Sequence, residues 1–172
     1  PSPTNLPVGG VLVFDVETFE PHAKVSVEPL TPWFTNAFIW EALDLGSDGL
    51  FLGLSDGRAG IWGLDGTQIQ AMPSSTPILA GEVPIVASIG SGFIQNGQAV
   101  YQISSTHIPF GAASSELKPP AAHPEENTIV VANSNGERAW TWRGPHQIQG
   151  LTPIPDGQRV VAGAGKRLSD TR

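Results

Sequence analysis

Apolar and polar positions alternate over short distances along the chain, and the apolar runs end in turn residues. LFLGL at 50–54, PIVASI at 84–89 and TIVVA at 128–132 are apolar stretches of strand length. Each is followed by a tight-turn dipeptide, Asp56-Gly57, Asn96-Gly97 or Asn135-Gly136. Such dipeptides supply the positive φ angles of a two-residue hairpin turn. The pattern therefore predicts antiparallel hairpins over residues 50–64, 86–103 and 128–142, turning at Gly57, Gly97 and Gly136. The turn glycines lie 40 and 39 residues apart, and the aromatics that follow them, Trp62, Tyr101 and Trp140, lie 39 and 39 apart. Two residues further on stand Leu64, Ile103 and Trp142. Strand alternation puts each pair on one face, so the pattern predicts a repeated hairpin with that face in the core. Phe14 and Val16 repeat the pair upstream in VLVFDVET.

A unit recurring every ~40 residues has the size of a four-stranded propeller blade. AFIWEALDLGSDG at 37–49 and IQGLTPIPDGQRVVAGAG at 148–165 read as inner strands followed by turns, with eight residues from Gly49 to Gly57 and from Gly157 to Gly165. At this point the chain resembles the WD-repeat proteins over residues 10–166. GLTPIPDGQRVVAGAG resembles the inner and second strands of the family, and LSDGRAGIWGLDG its third strand, with Gly63 standing where the family's Asp follows the Trp. The resemblance implies an all-β propeller of four-stranded antiparallel blades, about four of them visible, in one domain spanning 1–172. It also implies a non-catalytic scaffold for protein partners, working as a subunit of a larger hetero-assembly in the cytoplasm or nucleus. Four blades are few for the family. The count leaves two expectations: residues 148–165 pair with the N-terminal VLVFDV hairpin and close a four-bladed ring, or the ring is incomplete and its edges are covered by further sequence or by another subunit, the second being favoured.

Composition agrees with short elements. Twenty Gly and sixteen Pro make up about a fifth of the 172 residues, a proportion that disfavours long helices. A net charge of −7 with scattered Lys and Arg speaks against a nucleic-acid surface. The chain has no Cys, which removes thiolate metal sites and cysteine catalysis. No run of eighteen apolar residues suggests a membrane span.

Two stretches offer catalytic readings. GLSDG at 53–57 matches G-x-S-x-G, the elbow that exposes a nucleophilic serine between a strand and a helix. RAGIWGLDG follows instead of a helix, so a hairpin turn is expected around Ser55. VFDVETF carries Asp15 and Glu17 in the arrangement of a two-metal exonuclease, but no later acidic motif follows Tyr101, His107, His123 or His146 at the needed spacing. His22, His107, His123 and His146 show no metal-ligand spacing, and no cofactor or metal is expected. Residues 110–126 are rich in Ala, Ser and Pro and read as an exposed loop or insert. AWTWRGPH at 139–146 combines residue types enriched at interface hot spots, although the repeat assigns Trp140 and Trp142 to the core. Arg58, Arg138, Trp142, Arg143 and His146 are the candidate partner-binding residues. Two other classes stay open: a quinoprotein-type or hydrolytic propeller enzyme, and a structural subunit whose ring another chain completes.

Overall fold

The computed structural model describes residues 10–30, 32, 34, 39–44, 49–109 and 118–165. Among these there are only strands, turns and irregular segments. β1 (Gly10–Phe14) and β2 (Pro21–Ser26) form a two-stranded sheet. β3 (Ile39–Asp44), β4 (Leu50–Leu54), β5 (Ala59–Trp62) and β6 (Gln68–Met72) form a four-stranded meander. β7 (Ile78–Ala80), β8 (Val83–Gln95), β9 (Gln98–His107), β10 (Thr128–Ala132) and β11 (Arg138–Arg143) form a five-stranded one. β12 (Gln147–Pro153) and β13 (Val160–Gly165) make a final hairpin. All pairings are antiparallel.

Three apolar layers join the four sheets. Val25 and Val27, with Val11 and Val13, pack against Leu50, Leu52, Leu54 and Trp62. The opposite face of the second sheet, through Phe51, Ala59, Ile61 and Met72, meets Ile89, Tyr101, Ile103 and Val130 of the third. Val100 and Ile129, on the far face of that third sheet, meet Ile148 of β12. β4 is apolar at every position because both of its faces are covered: Leu50, Leu52 and Leu54 point one way and Phe51 the other. Gly53 completes the second face, where a Cβ would run into the Ile89 side chain. The missing side chain lets β8 come close to β4. Tyr101 fixes the same layer, stacking at 5.1 Å from Phe51 and donating its hydroxyl to Pro73 O at 2.7 Å. Burial pushes its phenol above the ordinary tyrosine range.

All three predicted hairpins form, but by two kinds of turn. Asn96 and Gly97 both take positive φ, 51° and 73°, and close a two-residue loop between Gln95 and Gln98. The other two loops are longer. Asp56 Oδ1 accepts from Arg58 N at 3.1 Å and Asn135 Oδ1 from Glu137 N at 3.1 Å, while only Gly57 and Gly136 take positive φ. The side-chain acceptor replaces a backbone one and leaves the left-handed step to glycine.

The aromatic spacing does not mark a blade period. Trp62 lies on β5, next to the last strand of its sheet, Tyr101 on the central strand β9, and Trp140 on the edge strand β11. The hairpins at 86–103 and 128–142, expected in separate blades, share one sheet because β10 pairs directly with β9. Blades set by the 39-residue spacing are thus corrected to sheets of two, four, five and two strands. The buried aromatic column is corrected with it. Trp62, Tyr101 and Ile103 are buried, whereas Phe14, Val16, Leu64, Trp140 and Trp142 are exposed. Layer coverage decides this: Trp62, Tyr101 and Ile103 lie in the apolar layers between sheets, whereas the exposed residues lie outside them.

Candidate functional site

β11 is the place where an apolar surface meets an open strand edge. It lies at the end of the five-stranded sheet, and all six of its residues are exposed. Its inner edge pairs with β10, placing Trp142 opposite Ile129 and Trp140 opposite Val131. Ile129 in turn lies opposite Gln102, and Val131 opposite Val100. The two tryptophans therefore share the face that β12 covers. That cover thins toward β11: β12 packs mainly on β8 and β9 and reaches β10 where Ile148 meets Ile129. Trp140 stays 50% and Trp142 42% exposed. The Trp142 ring lies over Gly144, where a Cβ would collide with it.

The flanking cations fold back along the sheet. Arg138 places both terminal nitrogens 3.1 Å from Glu125 Oε2, and Arg143 Nε donates to Glu126 O at 3.2 Å. His146 is exposed in the turn between β11 and β12. These residues thus border the two tryptophans at the strand's ends. Arg58 does not join them. It belongs to the β4–β5 turn, where Nη2 lies 2.6 Å from the fully buried carboxylate of Asp56 and donates to Glu28 O at 2.6 Å. Its charge neutralises a carboxylate that has no access to water.

Glu125 and Glu126 end a segment that is built into the fold from His123 onward, although 110–126 reads from composition as an exposed connection. Residues 110–117 lie outside the described residues. His123 is buried, and its backbone N donates to Thr106 Oγ1 at 2.6 Å, which donates to Glu126 Oε2 at 2.6 Å. His123 Nδ1 accepts from Glu125 N at 3.1 Å, so Nε2 carries the proton and donates to Thr76 O at 3.2 Å. That tautomer is neutral. Desolvation lowers the imidazole below its usual range, with the bond to Thr76 working the other way.

The residues of the catalytic readings have structural engagements. Ser55 is buried in the β4–β5 turn, followed by β5 and not by a helix. Ser88 Oγ lies 3.2 Å from His107 Nε2 but donates its proton to Ser55 O at 2.8 Å. Asp15 Oδ1 accepts from Glu17 N at 2.9 Å and Thr18 N at 2.8 Å, which closes the β1–β2 turn. The bonds from Thr18 and then Glu17 hold its carboxyl below the ordinary range. Among the described residues no three His, Asp or Glu side chains converge as a metal site.

No family model matches the chain, and no curated protein matches it. Among solved structures, it is similar to BBS1N in complex with ARL6DN, soaked with lead, at 12% identity and a TM-score of 0.32. That likeness covers 92% of this chain and 56% of the other. A mercury-soaked crystal of the same complex gives 14% identity and a TM-score of 0.30, covering 90% and 54%. The chain spans about half the length of the solved chains it matches.

The sequence reading weighed both tryptophans of AWTWRGPH but named only Trp142 as partner-binding, and it missed the glutamates that orient Arg138 and Arg143. Trp140 had a signal: two tryptophans at i and i+2 between arginines in RAWTWR form a flat aromatic face on any strand. The glutamates had none, since their partners lie 13 and 17 residues away.

Proposed function

We propose that this chain is a non-catalytic protein-interaction module whose stacked sheets are blades of a β-propeller, and that a protein partner engages the β11 face. One observation carries the reading: two tryptophans stand about half exposed on one face of an edge strand whose outer backbone groups pair with no described strand. Aromatic side chains of this size dominate interface energetics, and an open edge is a template for another strand. Trp142 and Trp140 supply the anchor. Arg138, Arg143 and His146 supply a polar rim, and Arg58 is left to the β4–β5 turn, paired with Asp56.

The propeller reading rests on the layering. Each sheet covers the face of the next, and β8 packs against β3 and β4 as β12 packs against β8 and β9. Inner strands that stack in succession are what a blade arrangement requires. The non-catalytic reading is supported by the engagements of Ser55 and Asp15.

The test is hydrogen exchange on the assembly isolated from its natural source, set against the isolated chain. Amides of 138–143 should be protected in the assembly, and the Trp140→Ser/Trp142→Ser chain should fail to enter it. Unchanged exchange across β11 would refute the site. Covalent labelling of Ser55 or Ser88 by a fluorophosphonate probe would refute the non-catalytic reading.

A further inference from the structure

We infer that Asn96 is a site of spontaneous deamidation, and that its conversion to a carboxylate frees the β12–β13 hairpin from the third sheet. The inference concerns a covalent change and stands apart from the interaction reading. Its first ground is the contact that Asn96 makes. Asn96 Nδ2 donates to Gly157 O at 2.8 Å, and next to it Gln95 Nε2 reaches Ile154 O at 3.5 Å. The β8–β9 turn thus holds the β12–β13 turn by two amide donors. The fit is close, since a Cβ on Gly157 would come to 3.2 Å from Asn96 Nδ2. A carboxylate at position 96 has no proton to give and sets a negative charge against the Gly157 carbonyl. The β12–β13 turn already carries the Asp156 carboxylate, ion-paired with Arg159. A two-stranded hairpin is marginal by itself, so losing this hold loosens both of its strands.

The second ground is the chemistry of the Asn96-Gly97 step. In deamidation the Gly97 backbone N attacks Asn96 Cγ, the Cγ–Nδ2 bond breaks, and ammonia leaves with the proton that Gly97 N gives up. Water then opens the cyclic imide at either of its carbonyl carbons. The C–N bond that breaks returns a proton to nitrogen and leaves aspartate or, where the chain now runs through Cγ, isoaspartate. The attack needs a following residue without a side chain and a backbone N–H that is not tied to an acceptor. Asn96 and Gly97 are both exposed, and nothing lies within 4 Å of the place of a Gly97 Cβ. In this two-residue loop the cross-turn pairing belongs to Gln95 and Gln98, and Gly97 N has no acceptor among the described residues. The other described turns of this kind hold their glycine N–H. Gly136 N donates to Asn133 O at 2.9 Å, Asn135 Nδ2 donates to Glu137 Oε2 at 2.9 Å, and a Cβ at Gly136 would strike Gln70 and Ala71 O. Gly57 N, Gly66 N and Gly157 N donate to Leu54 O, Gly63 O and Ile154 O. The fold therefore selects Asn96 over Asn135, although the two share the same dipeptide.

For the test the full chain is incubated at mildly alkaline pH, where the amide proton leaves more readily, and its peptides are followed by mass spectrometry with enzymatic methylation of isoaspartate. In the folded chain conversion at Asn96 should outrun conversion at Asn135 at least tenfold, and in urea the two should convert at similar rates. Native-state hydrogen exchange of the converted chain should be about tenfold faster in β12 and β13, the factor that one hydrogen bond of ordinary worth represents, with β4 and β9 unchanged. Asn96→Asp, a residue type that tolerates the positive φ of this position, should reproduce the faster exchange without the extra main-chain atom of isoaspartate. Asn96→Gly keeps the turn and removes the donor without adding charge, so it should reproduce less of the effect. Conversion at Asn135 as fast as at Asn96 in the folded chain overturns the inference. So does a converted chain, or an Asn96→Asp chain, in which β12 and β13 exchange at the original rate.

Discussion

Gly57 shows how one residue can decide between a catalytic and a structural reading. Its φ is 82°, its carbonyl accepts from Ser75 N at 2.9 Å, and a Cβ would strike the Ser75 backbone. A branched side chain therefore meets both strain and a collision. Gly57→Val is expected to lower stability by about 1 kcal/mol or more in urea unfolding, whereas Gly97→Ala, at a position with open space, should cost less. An equal loss at the two sites would contradict the packing of this turn. His123 acts on stability through its protons. Burial lowers its folded-state pKa below the ordinary 6.5, so the unfolded chain binds more protons between the two values. Its contribution is complete above that unfolded value and is lost as pH falls through the folded one. The wild-type urea midpoint should drop more steeply than that of His123→Gln as pH falls below the ordinary 6.5, and parallel curves would show that the ring is not held neutral.

Elements were legible in the sequence where local chemistry fixes them. Asn96-Gly97 sets its hairpin outright, and Asp56-Gly57 and Asn135-Gly136 set theirs through side-chain acceptors that any reading of the dipeptide locates correctly. What the sequence could not convey is which strand lies next to which. The bulged pairing of β8 with β9 and the direct pairing of β10 with β9 depend on contacts far apart in sequence, and they placed three evenly spaced aromatics on strands of different rank. Evenness suggested one environment, and pairing made three. The expected consequence is a sharp inequality among tryptophans. Trp62, buried between the first two sheets, should cost roughly 3–5 kcal/mol on replacement by Ala. Trp140→Ala, on the open edge, should stay within about 1 kcal/mol in the isolated chain. Comparable losses by denaturant unfolding would mean that β11 is covered.

At the scale of the molecule, each sheet owes its stability to its neighbours, since the three apolar layers are all shared between adjacent sheets. The second and third sheets are covered on two sides, the terminal hairpins on one. Stability in such a stack is close to a sum of unit and nearest-neighbour contributions, so the ends open at lower cost than the middle. Two-stranded hairpins are marginal by themselves. Native-state hydrogen exchange of the dilute chain should therefore be slowest in β4 and β9, whose neighbours lie on both faces, and fastest in β1, β2, β12 and β13. Uniform exchange across the strands would mean that the four sheets unfold as one body.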